Sequence, residues 1–217
     1  MEEKDEFRVY SYVDGEKEVQ VPRAIDQELV RKAQKGDRAA LGVLYSRYRR
    51  KILNYLYRFT GNRATAEELT QETFLKVVRY IHRYRPTGSV AGWIYKIARN
   101  LAMNALRDRP KITEVPLDEP VPTQEGEVSR AEVIPGNTPQ PDEEVQRAET
   151  ERRIQQSLLK ISPVYREVVI LCDIEGYPYK EASDILRCSI NTIASRLARG
   201  RSQLGSLLGY LRKEDQR

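Results

Sequence analysis

Histidine and cysteine are almost missing from this 217-residue chain: His82, Cys172 and Cys188 are the whole supply. A four-ligand zinc site built from them would need several carboxylates. A nucleophile–base arrangement would have to use His82. Its neighbours Arg79, Arg83 and Arg85 suit a phosphate-facing helix end better than a general base. Also lacking are a glycine loop to cradle phosphate and any pair of metal-binding histidines. No metal, no cofactor and no catalytic residue are therefore expected, and an enzyme is disfavoured. No apolar run is long enough to span a bilayer, which excludes direct membrane insertion. The opening residues are acidic rather than basic and then apolar, so no secretion leader and a cytoplasmic location are expected. In that reducing setting the two cysteines are expected as thiols, with Cys172 packing as a small hydrophobe. Aromatic residues are missing from one whole segment, Tyr95 to Tyr165. Seven of the eleven prolines lie there, between Pro110 and Pro141. Such a stretch cannot bury enough apolar surface to offset its ordering entropy. It reads as a flexible acidic linker over residues 110–142, with a reach on the order of 100 Å.

What is present is charge, unevenly distributed. The net charge of +5 divides into −3 for residues 1–25, +11 for 26–109, −5 for 110–142 and +2 for 143–217. The +11 block is the electrostatic footprint of a polyanion binder. Residues 1–25 alternate apolar and polar around Asp14-Gly15, which suits a hairpin turn. A disordered acidic arm is the competing reading of that extension.

Both flanking blocks carry helical periodicity, so the fold class expected is all-α, with small helical domains over 26–109 and 143–213. Asp26 is read as the cap of a first helix that Gly36 stops. Asp37 caps a second helix, whose apolar face is Leu41, Leu44, Tyr45, Tyr48, Ile52, Tyr55, Leu56 and Phe59. A third spans about 64–81 and buries Ala66, Leu69, Thr73, Phe74, Val77, Val78 and Ile81. Ser89 caps a fourth that stops before Pro110. The C-terminal block reads as four helices. The first ends near Ile161, and the second opens at Pro163, a favoured first-turn position. A short one spans about 178–187, and the last follows Ser189.

The last two make a helix–turn–helix. Ile190, Ile193 and Leu197 face inward, leaving Asn191, Thr192, Ser195, Arg196 and Arg199 outward. Short polar side chains let a helix backbone enter the major groove, and the arginines behind them reach guanine edges or phosphates. The plainer alternative is a helical hairpin with a solvated basic face. On the fourth helix, Lys96, Asn100, Asn104 and Arg107 form a second polar face that suits base edges and phosphates. Trp93, close to Tyr80, Tyr84 and several arginines, either stacks an unpaired base or completes the core. On the third helix Glu67, Glu68, Gln71 and Glu72 cluster outward. Glu68 and Glu72 are like charges one turn apart, and an acidic patch on a basic domain points to a basic protein partner.

Several segments resemble the bacterial extracytoplasmic-function (ECF) sigma factors of RNA polymerase. The run from Asp26 to Ala40 looks like the start of that family's first domain. Ala66-Glu-Glu-Leu-Thr-Gln-Glu-Thr-Phe74 resembles its polymerase-binding helix, and Trp93-Ile-Tyr-Lys-Ile-Ala-Arg-Asn100 its melting helix. Ser162-Pro-Val-Tyr-Arg166, Glu175-Gly-Tyr-Pro-Tyr179 and Thr192-Ile-Ala-Ser-Arg-Leu197 resemble its second domain. The resemblance implies a promoter-specificity subunit whose partners are core RNA polymerase, promoter DNA and an anti-sigma factor. It implies polymerase contacts from Glu67, Glu68, Gln71, Glu72 and Phe74. It places Trp93, Lys96, Asn100, Asn104 and Arg107 at the minus-ten element. Asn191, Thr192, Ser195, Arg196 and Arg199 fall at the minus-thirty-five element. The pattern departs at Asn191, where the family often has Gly, at Arg187 in place of a turn Gly, and at Asn104, where an acid is common. Gly200, inside the last helix, is expected to cost about 1 kcal/mol. The alternative is a stand-alone helix–turn–helix regulator, which would bind a site without polymerase.

Overall fold

The computed structural model describes residues 23–86, 88–108 and 141–214. The hairpin expectation for the N-terminal extension and nearly all of the linker fall outside them. Pro141, expected inside the linker, instead opens a helix. Among the described residues there is no strand.

Helix α1 (Arg23–Gln34) begins three residues before the expected cap. Asp26 is therefore not its N-cap. It lies in the first turn, buried, and its carboxylate accepts from the Arg47 guanidinium and the Tyr48 hydroxyl. A buried carboxylate needs such partners; here they tie α1 to α2 (Arg38–Thr60). Burial, reinforced by that bond to Asp26, holds the Tyr48 phenol well above its ordinary range. Asp37 caps α2 as expected, accepting from the Ala39 and Ala40 amides at 2.8 and 3.2 Å. Gly61 ends it in the left-handed region (φ 73°), its amide bonded to the Tyr57 carbonyl at 2.8 Å.

Asn62 caps α3 (Arg63–Tyr80) through the Thr65 amide, and a 3-10 turn over Ile81–Arg83 follows. Val78, expected in the core, is 53% exposed. It follows Val77 by about 100° around the helix, which carries it off the buried stripe. Tyr45, also expected inside, is partly exposed and packs edge-on against Phe74 at 4.9 Å. Ser89 caps α4 (Val90–Asp108) through the Gly92 amide at 3.0 Å. Tyr95 and Ala102 of this helix are fully buried.

In the C-terminal group, α5 (Pro141–Lys160) leads to α6 (Pro163–Val169). A π-helical turn over Ile170–Ile174 continues α6, with the Glu175 amide reaching back five residues to the Ile170 carbonyl at 2.9 Å. Next come α7 (Tyr179–Leu186) and α8 (Ile190–Glu214). Arg187 joins them with φ 54° and ψ 48°, a left-handed turn of the kind Gly usually makes. Gly200 has a reason the periodicity does not show. A Cβ there would stand 2.7 Å from Val169 Cγ2 and 3.3 Å from the Tyr165 carbonyl oxygen. Only glycine lets α8 lie this close to α6.

The two groups pack into one continuous apolar cluster. Gln155 of α5 donates to the Tyr57 and Arg58 carbonyls at 3.3 and 3.2 Å. Arg166 of α6 donates to the Phe59 carbonyl at 2.5 Å and to those of Leu159 and Ile161 at 2.7 and 3.1 Å. Leu159 lies over Gly61, leaving no room for a Cβ there.

Candidate nucleic-acid and polymerase interfaces

On α3, Glu67, Glu68, Gln71 and Glu72 are all exposed. Arg63 pairs with Glu67 at 2.7 Å and Lys76 with Glu72 at 3.2 Å, so the patch is partly neutralised within its own helix. Phe74, grouped with them in the sequence reading, is buried beneath Tyr45; it supports the face rather than presenting one. The neighbouring Leu75, 70% exposed, was not foreseen as surface. It is the most exposed of the large apolar side chains among the described residues.

On α4, Asn100, Asn104 and Arg107 are exposed and Lys96 is half-buried. Arg107 pairs with its neighbour Asp108 at 3.4 Å. Trp93 is half-buried with its ring 5.1 Å from that of Tyr84, tilted by 55°. Gln34 holds the preceding loop by donating to the Ile81 and Tyr84 carbonyls at 2.9 and 3.0 Å. Trp93, Lys96 and Tyr84 line a cleft of about 780 Å³ whose other wall is Lys180, Asp184 and Ile185 of α7. This side of α4 therefore opens toward the C-terminal group.

Helix α8 begins after Ser189, as expected. Ser189 Oγ accepts from the Thr192 amide at 3.1 Å and meets the Thr192 hydroxyl at 2.8 Å. Asn191, Ser195 and Arg199 are exposed; Thr192 and Arg196 are half-buried. Ser195 Oγ donates to the Thr192 carbonyl at 3.1 Å, and the Arg199 guanidinium lies 3.5 Å from the Tyr165 hydroxyl. Arg201, one residue past Gly200, pairs with Asp173 and is thereby held above its ordinary pKa.

The polar contacts between the two groups are not legible in the spacing of the residues that make them. Glu167 of α6, whose side chain is 1% exposed, accepts from Arg99 Nε at 2.9 Å and Nη2 at 3.2 Å. Arg196 Nη1 stands 3.8 Å from the same carboxylate. Burial works against the charge on Arg99, and the bond to Glu167 more than restores it, so its pKa is raised. The Tyr95 hydroxyl donates to Glu175 at 2.7 Å and Ser89 Oγ to Glu181 at 3.1 Å. Burial first, and then Glu175, keep the Tyr95 phenol protonated far above its usual range.

Two family models match the chain: Sigma-70 region 2 over residues 44–111 and Sigma-70 region 4 over residues 151–204. The ECF RNA polymerase sigma factor SigW of Bacillus subtilis is 30% identical over 175 residues, covering 81% of this chain and 92% of that protein. The chain belongs to the ECF RNA polymerase sigma factors. SigE of Mycolicibacterium smegmatis is 33% identical over 176 residues; the match covers 80% of this sigma factor but only 64% of SigE. Among solved structures, CnrH in complex with the cytosolic domain of CnrY shares the fold at a TM-score of 0.64. It is 21% identical and covers 86% of this chain and 98% of its own. RpoE of Bartonella quintana, in complex with the anti-sigma factor NepR, shares it at 0.57, with 21% identity over 77% and 96% of the two chains. No described helix of the sigma factor is long and apolar enough to cross a membrane.

Proposed function

We propose that this sigma factor joins core RNA polymerase, directs it to promoters and assists melting, with residues 26–109 and 143–213 as its two working domains. The observation that carries this is the pairing of both Sigma-70 regions, in order, with an exposed polar recognition helix start at Asn191–Arg199. Glu67, Glu68, Gln71 and Glu72 contact core polymerase, with Phe74 as the buried support of that face. Lys96, Asn100, Asn104 and Arg107 engage the minus-ten element, and Trp93 stacks an unpaired base. Asn191, Thr192, Ser195, Arg196 and Arg199 engage the minus-thirty-five element, the arginines on base edges or phosphates. The factor makes and breaks no covalent bond. Strand separation comes from trapping bases once the duplex breathes. It acts in the cytoplasm and is sequestered by an anti-sigma protein, a reading supported by the CnrY and NepR complexes of its structural neighbours.

The test is run-off transcription from a promoter library with purified core polymerase and the full chain. New start sites that depend on the chain, all sharing an upstream and a downstream motif, are the expected result. A chain that shifts a palindromic site unaided and leaves core polymerase unchanged overturns the reading.

A further inference from the structure

The packed arrangement cannot serve both promoter elements at once. Elements centred 10 and 35 base pairs upstream lie roughly 85 Å apart along straight duplex, at 3.4 Å per base pair. Here α4 and its capping Ser89 touch the C-terminal group directly: Arg99 bonds Glu167 of α6, Tyr95 bonds Glu175 in the turn before α7, and Ser89 bonds Glu181 of α7. Engaging both elements therefore requires the two groups to separate, and separation takes Arg99 away from Glu167.

That leaves a carboxylate in an awkward place. Glu167 is 1% exposed while the groups are packed, next in sequence to the buried Val168 and Val169, and parting removes its Arg99 partner, a loss that is costly unless another replaces it. The replacement is already poised within the same group. Arg196 Nη1 lies 3.8 Å from Glu167 Oε1, the oxygen that Arg99 Nη2 now occupies at 3.2 Å. Arg196 projects from α8, which packs against α6, so it stays with Glu167 when the N-terminal helices leave.

We propose that Glu167 is a positioning residue for promoter recognition: Arg99 holds it while the groups are packed, and Arg196 takes its place when they part. Closing on Arg196, the carboxylate fixes one edge of the guanidinium and leaves the other to face DNA. A long, rotamer-rich arginine is thereby preorganised, which lowers the ordering cost of reading a base. This inference rests on the functional reading above.

Two double-mutant cycles test it. With holoenzyme reconstituted from core polymerase and the full chain, the readout is the ratio of transcription from the selected promoter to that from one with a scrambled upstream element. Glu167→Gln should lower that ratio roughly tenfold, on the scale of one well-placed arginine contact. In an Arg196→Ala background the same change should cost nothing further. Arg99→Ala should leave the ratio as it was, whatever it does to total output. With the free full chain, the readout is urea unfolding followed by far-ultraviolet circular dichroism. There Glu167→Gln and Arg99→Ala should be non-additive. A ratio indifferent to Glu167→Gln overturns the proposal. So does an Arg99→Ala variant that loses as much of the ratio as Glu167→Gln, since both would then act by general loosening. A holoenzyme that starts no transcripts at all overturns the functional reading instead, so the two failures are distinguishable.

Discussion

Individual side chains divide by what they are free to touch. Arg196 and Lys96 are both assigned to nucleic acid in the proposed function, yet one stands beside a carboxylate and the other on a cleft wall. Arg196→Ala should weaken discrimination at the upstream element, while Lys96→Ala should lower the salt slope of promoter binding by about one. Competition binding at several salt concentrations separates the two, and exchanged outcomes would reverse their roles. Cys172 offers a pH test. Burial and the neighbouring Asp173 push its thiol up to about 11. Since the thiolate is the reactive form, only on the order of one molecule in a thousand is reactive at pH 8. Its alkylation by iodoacetamide, followed by mass spectrometry of the native chain, should be slow and rise about tenfold per pH unit between 8 and 10. Residue types were only partly legible. Asp37 and Ser89 read correctly as caps because capping is local chemistry. Asp26 misread as a cap because its partners Arg47 and Tyr48 lie about twenty residues away.

Among the helices, α3 and α8 carry the most specific expectations. Glu68→Lys with Glu72→Lys should abolish pull-down of core polymerase while leaving the helical circular-dichroism spectrum and melting temperature nearly unchanged. Both side chains are exposed, and surface changes cost within about 0.5 kcal/mol. Retained pull-down would remove the acidic face from the interface. Gly200→Ala should destabilise by about 1–3 kcal/mol in urea unfolding, because the added methyl meets Val169 and the Tyr165 carbonyl rather than empty space. The helix-propensity argument alone predicts stabilisation, so the sign decides between them. Helix positions were largely readable from three-and-four spacing, within about three residues at each end. The misses have a common cause. Val78 and Tyr45 border their apolar stripes, and periodicity does not say how wide the covering neighbour is.

At the scale of the molecule, the two helical groups were legible but their packing was not. A seam made by Arg99 and Glu167, or by Tyr95 and Glu175, joins residues 68 and 80 apart in sequence, and each reads singly as a surface polar group. Because one apolar cluster runs through both groups, the free full chain should unfold in urea as a single cooperative step, with fluorescence and circular dichroism coincident. Two resolved steps would show that the seam adds little. The Tyr57, Arg58 and Phe59 carbonyls at the end of α2 form one bank of that seam. Peptide oxygens are supplied by the backbone whichever residues occupy those three positions. Mutation on that bank cannot delete an acceptor; it can only bend the chain that carries it. Along this stretch of the seam, heritable tuning is thus confined to the opposite bank, where exchanging Gln155 or Arg166 removes a donor outright.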